Sequence, residues 1–228
     1  MIELQRLDLY RPIHKALRLL MAETLVEVGR LDCEDSPELH AGLDRVEQLL
    51  RACRSHLQHE DAFLHPALER LQRNGAERTH HDHLEHRHAI DALQRQVTAV
   101  RERVGGARQQ AADALYDALA DFIGENFAHM RIEERDNNAR LWSGYDDAAL
   151  VEVHEALLAS IPASEMEDTL RLMVRALSPR ERAGLLGEIR GKMPADAFSA
   201  LLGGLLPLLP PRDRAKLVIA LGEARVAA

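Results

Sequence analysis

Apolar residues return every three or four positions from about residue 12 to about residue 140, and no run of alternating β-branched residues interrupts them. That period predicts four long helices. The first runs over about 12–31, with Pro12 in its opening turn. The second runs over about 38–72, where Ser36 can cap, Pro37 can start and Gly75 closes the "RNG" stop. The third covers about 79–104 and ends at Gly105–Gly106, and the fourth covers about 109–140. Pro66 predicts a bend or a loosened turn inside the second helix. Short links between long amphipathic helices imply an all-α, antiparallel, up-down four-helix bundle.

The pattern then changes in kind. From residue 161 a sixteen-residue unit recurs four times without gaps: "IPASEMEDTLRLMVRA", "LSPRERAGLLGEIRGK", "MPADAFSALLGGLLPL" and "LPPRDRAKLVIALGEA". Each opens on an apolar residue followed by Pro or Ser, and Ser178 and Glu181 stand at capping-box spacing. Four short helices in two helical hairpins are expected, stacked because a lone short helix cannot bury its apolar face. The chain is therefore divided into 1–150 and 151–228, the junction falling within 143–160. Leu201, Leu202, Leu205, Leu206, Leu208 and Leu209 crowd one hairpin. They predict a homodimer through these helices, or docking on the bundle.

A net charge of −8 without a basic stripe argues against a nucleic-acid partner. No apolar stretch approaches membrane-spanning length and "MIELQRLDLYRPIHK" has no signal-peptide core, so the expectation is a cytoplasmic protein without a membrane partner. Cys33 and Cys53 are too few for a disulfide scaffold and are expected as small buried apolar residues. Twelve histidines beside four phenylalanines, three tyrosines and one tryptophan are the unusual feature, and their positions decide the chemistry.

Projected on helical wheels, His14 shares a face with Leu17, Met21, Leu25 and Val28. Leu39, Leu43, Val46, Leu50 and Cys53 lead to His56 and Glu60. His83 and His86 begin a stripe continued by Ile90, Leu93, Val97, Val100 and Val104. Leu115, Leu119, Phe122 and Asn126 lead to His129 and Glu133. In an up-down bundle, positions early in the first and third helices and late in the second and fourth lie at one level. A single His-x3-Glu is usually a solvated surface pair. Two of them, converging with further imidazoles in one core layer, would repel or go unsatisfied unless cations sat between them. The ligand count suggests two ions, with Glu60 and Glu133 as bridges. Mixed nitrogen and oxygen ligation suits iron, with manganese or zinc possible, and the absence of thiolate argues against an iron–sulfur cluster. His80, His81 and His88 are read as solvated, and His40, His59, His65 and His154 lie off the inward faces and receive no role.

At "IHKALR", "HLQHEDAFLHPAL", "LEHRHAIDAL" and "HMRIEERDNNARLW" the sequence resembles the hemerythrin-like (HHE cation-binding) family over roughly residues 10 to 142. The resemblance implies a four-helix bundle around a non-haem di-iron site. It implies that His14 and His56 hold one iron, that His86 and His129 hold the other, and that Glu60 and Glu133 bridge. Oxygen-carrying members have a second histidine four residues before the one matched by His86, where this chain has Asp82. They also use His-x4-Asp on the last helix instead of His-x3-Glu. His83 is the candidate for the missing nitrogen, directly or through water. The expected function is binding of O₂, or of a related small oxidant such as nitric oxide or peroxide. The alternatives are an iron or oxygen sensor signalling through the C-terminal helices, and a zinc-stapled structural bundle.

Overall fold

The computed structural model describes residues 6–223, and every regular element among them is helical. Helix α1 is Arg11–Gly29. The Asp8 carboxylate accepts from the amides of Tyr10 at 3.1 Å and Arg11 at 2.9 Å, which anchors the turn ahead of His14. Helix α2 begins as Ser36–His59. Its cap is Asp35, which accepts from Glu38 N at 3.0 Å; with that carboxylate one position ahead, Ser36 becomes the first helical residue rather than the cap. The helix continues through a π-helical turn, Glu60–Leu64, into a final segment, His65–Leu71. Asn74 takes the left-handed φ of 61° at its stop, and Gly75 is required beside it because a Cβ there would lie 2.6 Å from Leu68 O.

Helix α3 is Glu77–Glu102. Helix α4 runs Gly105–Ile132, passes through a second π-helical turn at Glu133–Asn137 and ends in Asn138–Gly144. The link between α3 and α4 is only Arg103 and Val104, so Gly105–Gly106 open α4 instead of standing between the helices. Gly105, at φ 54°, makes this short reversal possible. Val104 consequently leaves the core stripe assigned to it and is 73 % exposed.

Helices α1 and α2, α2 and α3, α3 and α4, and α4 and α1 pack as neighbours, closing an antiparallel four-helix bundle. Its core is built from Leu17, Leu20 and Met21, Leu43, Val46 and Leu50, Ile90, Leu93 and Val97, and Leu115, Leu119 and Phe122. Each such side chain contributes roughly 1.5–3 kcal/mol relative to exposure. Cys33 and Cys53 are buried free thiols. Helix α5, Asp147–Ser160, is capped by Asp146 and covers one end of the bundle, with Leu150 buried against a cluster holding Tyr10, Leu64, Leu68 and Leu141. Because Leu150, Val153 and Leu157 pack there, the first compact unit extends through Ile161, beyond the 150/151 division drawn from sequence. A chain ending at residue 161 is expected to melt as a bundle with unchanged metal content. Ending it at residue 146 instead strips the cover from Leu64, Leu68 and Leu141 and lowers stability by several kcal/mol. Equal melting temperatures for the two chains would refute this role for α5.

The second unit holds α6 (Ala163–Ala176), α7 (Pro179–Gly191), α8 (Ala195–Leu205, prolonged by a 3₁₀ turn at Leu206–Leu208) and α9 (Pro211–Ala220). Their first residues are sixteen apart, as the repeat requires. Ser178 and Glu181 form the capping box, with bonds of 3.4 and 2.9 Å. Leu170, Val174, Leu186, Phe198, Leu202, Leu205 and Leu217 build a core of the unit's own. Leu206 and Leu209 are buried with them and Leu201 and Leu208 partly so, which absorbs most of the surface behind the expected dimer or docking contact. The repeat is also deeper than one helix. Arg182 donates to Val174 O at 2.6 Å and Leu177 O at 2.9 Å. Two units on, Arg214 donates to Leu206 O at 3.1 Å and Leu209 O at 3.4 Å, closing the second hairpin in the same way. No helix among the described residues is long and apolar enough to cross a membrane.

Candidate metal centre

The two π-helical turns start on the two glutamates of the His-x3-Glu pairs. In each, an N–H reaches the carbonyl five residues back, His65 N to Glu60 O and Asn138 N to Glu133 O. The widened turn is a local device found often at functional sites. Pro66 is not its general cause, since the second turn, "EERDN", contains no proline.

Around these turns, side chains from all four helices meet in one buried layer. His14 Nε2 lies 3.6 Å from Glu60 Oε1 and 3.5 Å from Glu133 Oε2. His56 Nε2 is 3.3 Å from Glu60 Oε1. His83 Nε2 is 3.3 Å from Glu60 Oε2 and 3.6 Å from Glu133 Oε1, and His129 Nε2 is 3.2 Å from Glu133 Oε2. The donors fall into two groups, His14–His56–Glu60–Glu133 and Glu60–His83–His129–Glu133, each with its ligand atoms within 4.8 Å of one another. Both glutamates belong to both groups. His86 belongs to neither. Its ring stands edge-on to His129 at 4.9 Å and to Phe122 at 6.0 Å, and its Nδ1 is buried without a hydrogen-bond partner among the described residues.

The outer ring nitrogens have carboxylate partners that the sequence reading did not assign. His14 Nδ1 meets Glu134 Oε1 at 3.1 Å, His83 Nδ1 meets Asp61 Oδ1 at 2.7 Å, and His129 Nδ1 meets Asp82 Oδ2 at 3.0 Å. Such bonds place the proton on Nδ1 and turn the Nε2 lone pair inward, the arrangement a ligating imidazole needs. A signal was present: Asp61 and Glu134 each directly follow a glutamate of the His-x3-Glu pairs. His65, read from sequence as off the inward face, is buried and stacks on His83 with ring centroids 4.6 Å apart. The π turn adds a residue ahead of it and so carries it around to the core side.

The layer fits cations. Both oxygens of Glu60 and of Glu133, together with Nε2 of His14 and of His56, are buried without a hydrogen-bond partner among the described residues. Leaving such groups unsatisfied is costly. His83 Nε2 and His129 Nε2 face each other at 3.1 Å, so with both Nδ1 atoms protonated something positive must lie between two lone pairs. In the metal-free chain protons serve. Burial pushes the His14 and His83 imidazoles down, but the bond to Glu134 and the nearby Glu60 and Glu133 carboxylates for His14, and the same two carboxylates for His83, lift each to about 9. His129 also ends raised, its burial outweighed mainly by Glu133. Burial dominates at His56, His86 and His65, which fall to about 4. Glu60 and Glu133 stay ionised: burial raises them, and the surrounding imidazoles bring both below the ordinary range. Tyr10, buried beside His14, is raised first by burial and then by the two glutamates, and remains a neutral phenol.

Fold and site together define a class, antiparallel helical bundles whose inward histidines and shared carboxylates can hold cations. The chain belongs to the hemerythrin HHE cation-binding domain family, whose model matches residues 6–141. No curated protein and no solved structure matches it.

Proposed function

We propose that the bundle is a non-haem di-iron protein that binds O₂ or a related small oxidant such as nitric oxide. The observation that carries this reading is that two donor groups, each of two imidazoles and two carboxylates, share Glu60 and Glu133. His14 and His56 would hold one ion, and His83 and His129 the other. Here the geometry departs from the simple family correspondence, because His83 stands among the inner donors and His86 beside them. Few protein donors per ion leave room for an exogenous ligand, and nitrogen–oxygen ligation without thiolate suits iron over softer metals. A pair of iron ions supplies reversible binding or redox chemistry toward small diatomic molecules. The chain's own side chains do the rest. Asp61, Asp82 and Glu134 fix the imidazoles. The apolar core below the layer keeps it dry. Tyr10, its ring 5.6 Å from that of His14, keeps a neutral phenol beside the centre.

The test is to load the metal-free chain with Fe²⁺ anaerobically, measure bound iron, and record absorption before and after admitting O₂ or nitric oxide. About two irons per chain and a new visible band with either gas are expected. His83→Ala should lose about half of the iron, whereas His86→Ala should keep it and shift the band. A colourless, zinc-preferring protein would favour the structural-staple alternative. Iron retained in full by His83→Ala and lost in His86→Ala would restore the family correspondence.

A further inference from the structure

We propose that Asp61, His65 and His80 form a third, mononuclear cation site on the solvent side of the centre, taking a first-row divalent metal. Asp61 and His65 come from the π turn of α2 and the residue after it, and His80 from the first turn of α3. Their ligand atoms lie within 4.8 Å of one another. His65 Nδ1 is 3.0 Å from Asp61 Oδ1, and His80 Nδ1 is 3.9 Å from the same oxygen.

The hydrogen bonds of His65 point to a cation. Thr79 Oγ1 donates to Ala76 O at 3.2 Å, so toward His65 Nε2, also at 3.2 Å, it can only accept. The His65 proton therefore sits on Nε2. Its unprotonated Nδ1 then lies 3.0 Å from a carboxylate oxygen, buried and without a hydrogen-bond partner among the described residues. Two electron-rich atoms this close, with no proton shared between them, are relieved by a positive ion that both can bind. Two imidazoles and one carboxylate with open positions form a donor set that suits Fe²⁺, Mn²⁺ or Zn²⁺. Arg87 pairs with the other Asp61 oxygen, Oδ2, and leaves Oδ1 to the imidazoles.

Access is built in. A surface pocket is lined by His65 and His80 together with Glu69, Asn74, Ala76 and Glu77, and its two glutamates give it a negative rim. From there the rings step inward, His80 to His65 at 6.0 Å, His65 to His83 at 4.6 Å, and His83 to His129 at 4.9 Å. Asp61 Oδ1 also touches His83 Nδ1, at 2.7 Å, so one carboxylate belongs to the outer site and to the support of the inner one. The outer site is where a cation entering the bundle loses part of its water. This loading role rests on the di-metal reading above, whereas the existence of the outer site does not.

The experiment titrates the metal-free full chain with Co²⁺ and follows its d–d absorption and stoichiometry. It compares wild type with His80→Ala and with His81→Ala, its exposed neighbour outside the donor set. Three ions per chain are expected for wild type and His81→Ala, and two for His80→Ala, with inner loading slowed several-fold in the last. Two ions in wild type and two in His80→Ala would overturn the proposal and leave the inner centre standing. One ion in wild type and none in His80→Ala would sustain the outer site and overturn the di-metal centre. Equal loading rates with the expected stoichiometries would remove the entry role.

Discussion

Glu133→Ala is expected to bring the metal content from about two ions per chain to near zero, because one carboxylate serves both donor groups. Glu60→Ala should do the same. The metal-free chain suffers as well. Against the pull of burial, these two anions raise His83 to about 9 and, together with Glu134, raise His14 to about 9; they raise His129 as well. Removing either leaves buried imidazolium charge undercompensated, a loss of about 3 kcal/mol or more unless the rings give up their protons. Glu133→Gln keeps the shape and separates the two effects: metal should still be lost, with a smaller fall in stability. Metal analysis and denaturant unfolding of the metal-free variants are the measurements, with His40→Ala, at an exposed position, as the control. Two ions retained after loss of Glu60 and Glu133 together would put the binding elsewhere in the chain.

The second large effect is a stability optimum that metal abolishes. In the metal-free chain His14 and His83 are raised from the ordinary value near 6.5 to about 9. Their contribution is complete below pH 6.5 and is lost as pH rises through 9. A shift of that size corresponds to about 3 kcal/mol per imidazole, with the two sharing the same anions and therefore summing to less than twice that. His56, His65 and His86 are lowered to about 4, so between pH 6.5 and 4 the unfolded chain binds protons that the folded chain refuses. Stability falls across that window as well. The metal-free melting temperature should therefore peak near pH 6.5 and decline on both sides. In the loaded protein the ligating imidazoles are neutral, so the alkaline decline disappears and acid remains the weak side, where protons displace metal. Uptake of metal near pH 7 should release protons, measurable by calorimetry in buffers of different ionisation enthalpy. A metal-free melting temperature that stays flat from pH 6.5 to 9 would contradict the protonated cluster.

Helical period and up-down order were enough to place His14, His56, Glu60, His83, His129 and Glu133 in one layer, since each sits at a definite height on an amphipathic stripe. What the period could not reveal begins where it changes. A wheel drawn at 3.6 residues per turn fails past Glu60: it sets His65 on the solvent side and gives Asp61 no inward role. Val104 failed for the opposite reason: its spacing is perfect, but Gly105 ends the helix's claim on it. The choice between His83 and His86 was beyond a wheel as well. Both face inward, and what distinguishes them is a tertiary contact: His83 Nδ1 meets Asp61 Oδ1 of the neighbouring helix at 2.7 Å, whereas His86 Nδ1 has no hydrogen-bond partner among the described residues. The extent of the first unit depended likewise on a tertiary fact, the seat that Leu64 and Leu141 offer to Leu150.

Arg182 and Arg214 close their hairpins by the same pair of carbonyls, counted from the same starting point. Each hairpin thus carries its own internal fastening as well as its share of the common core. Stability in such an array is set by each repeat and its nearest neighbour rather than by the whole. Genetically, this makes thirty-two residues, two of the sixteen-residue units, the natural quantum of change in this region. Insertion or loss of a whole hairpin leaves every remaining fastening in register, whereas loss of α6 or α8 alone would leave Arg182 or Arg214 without the helix end it fastens to.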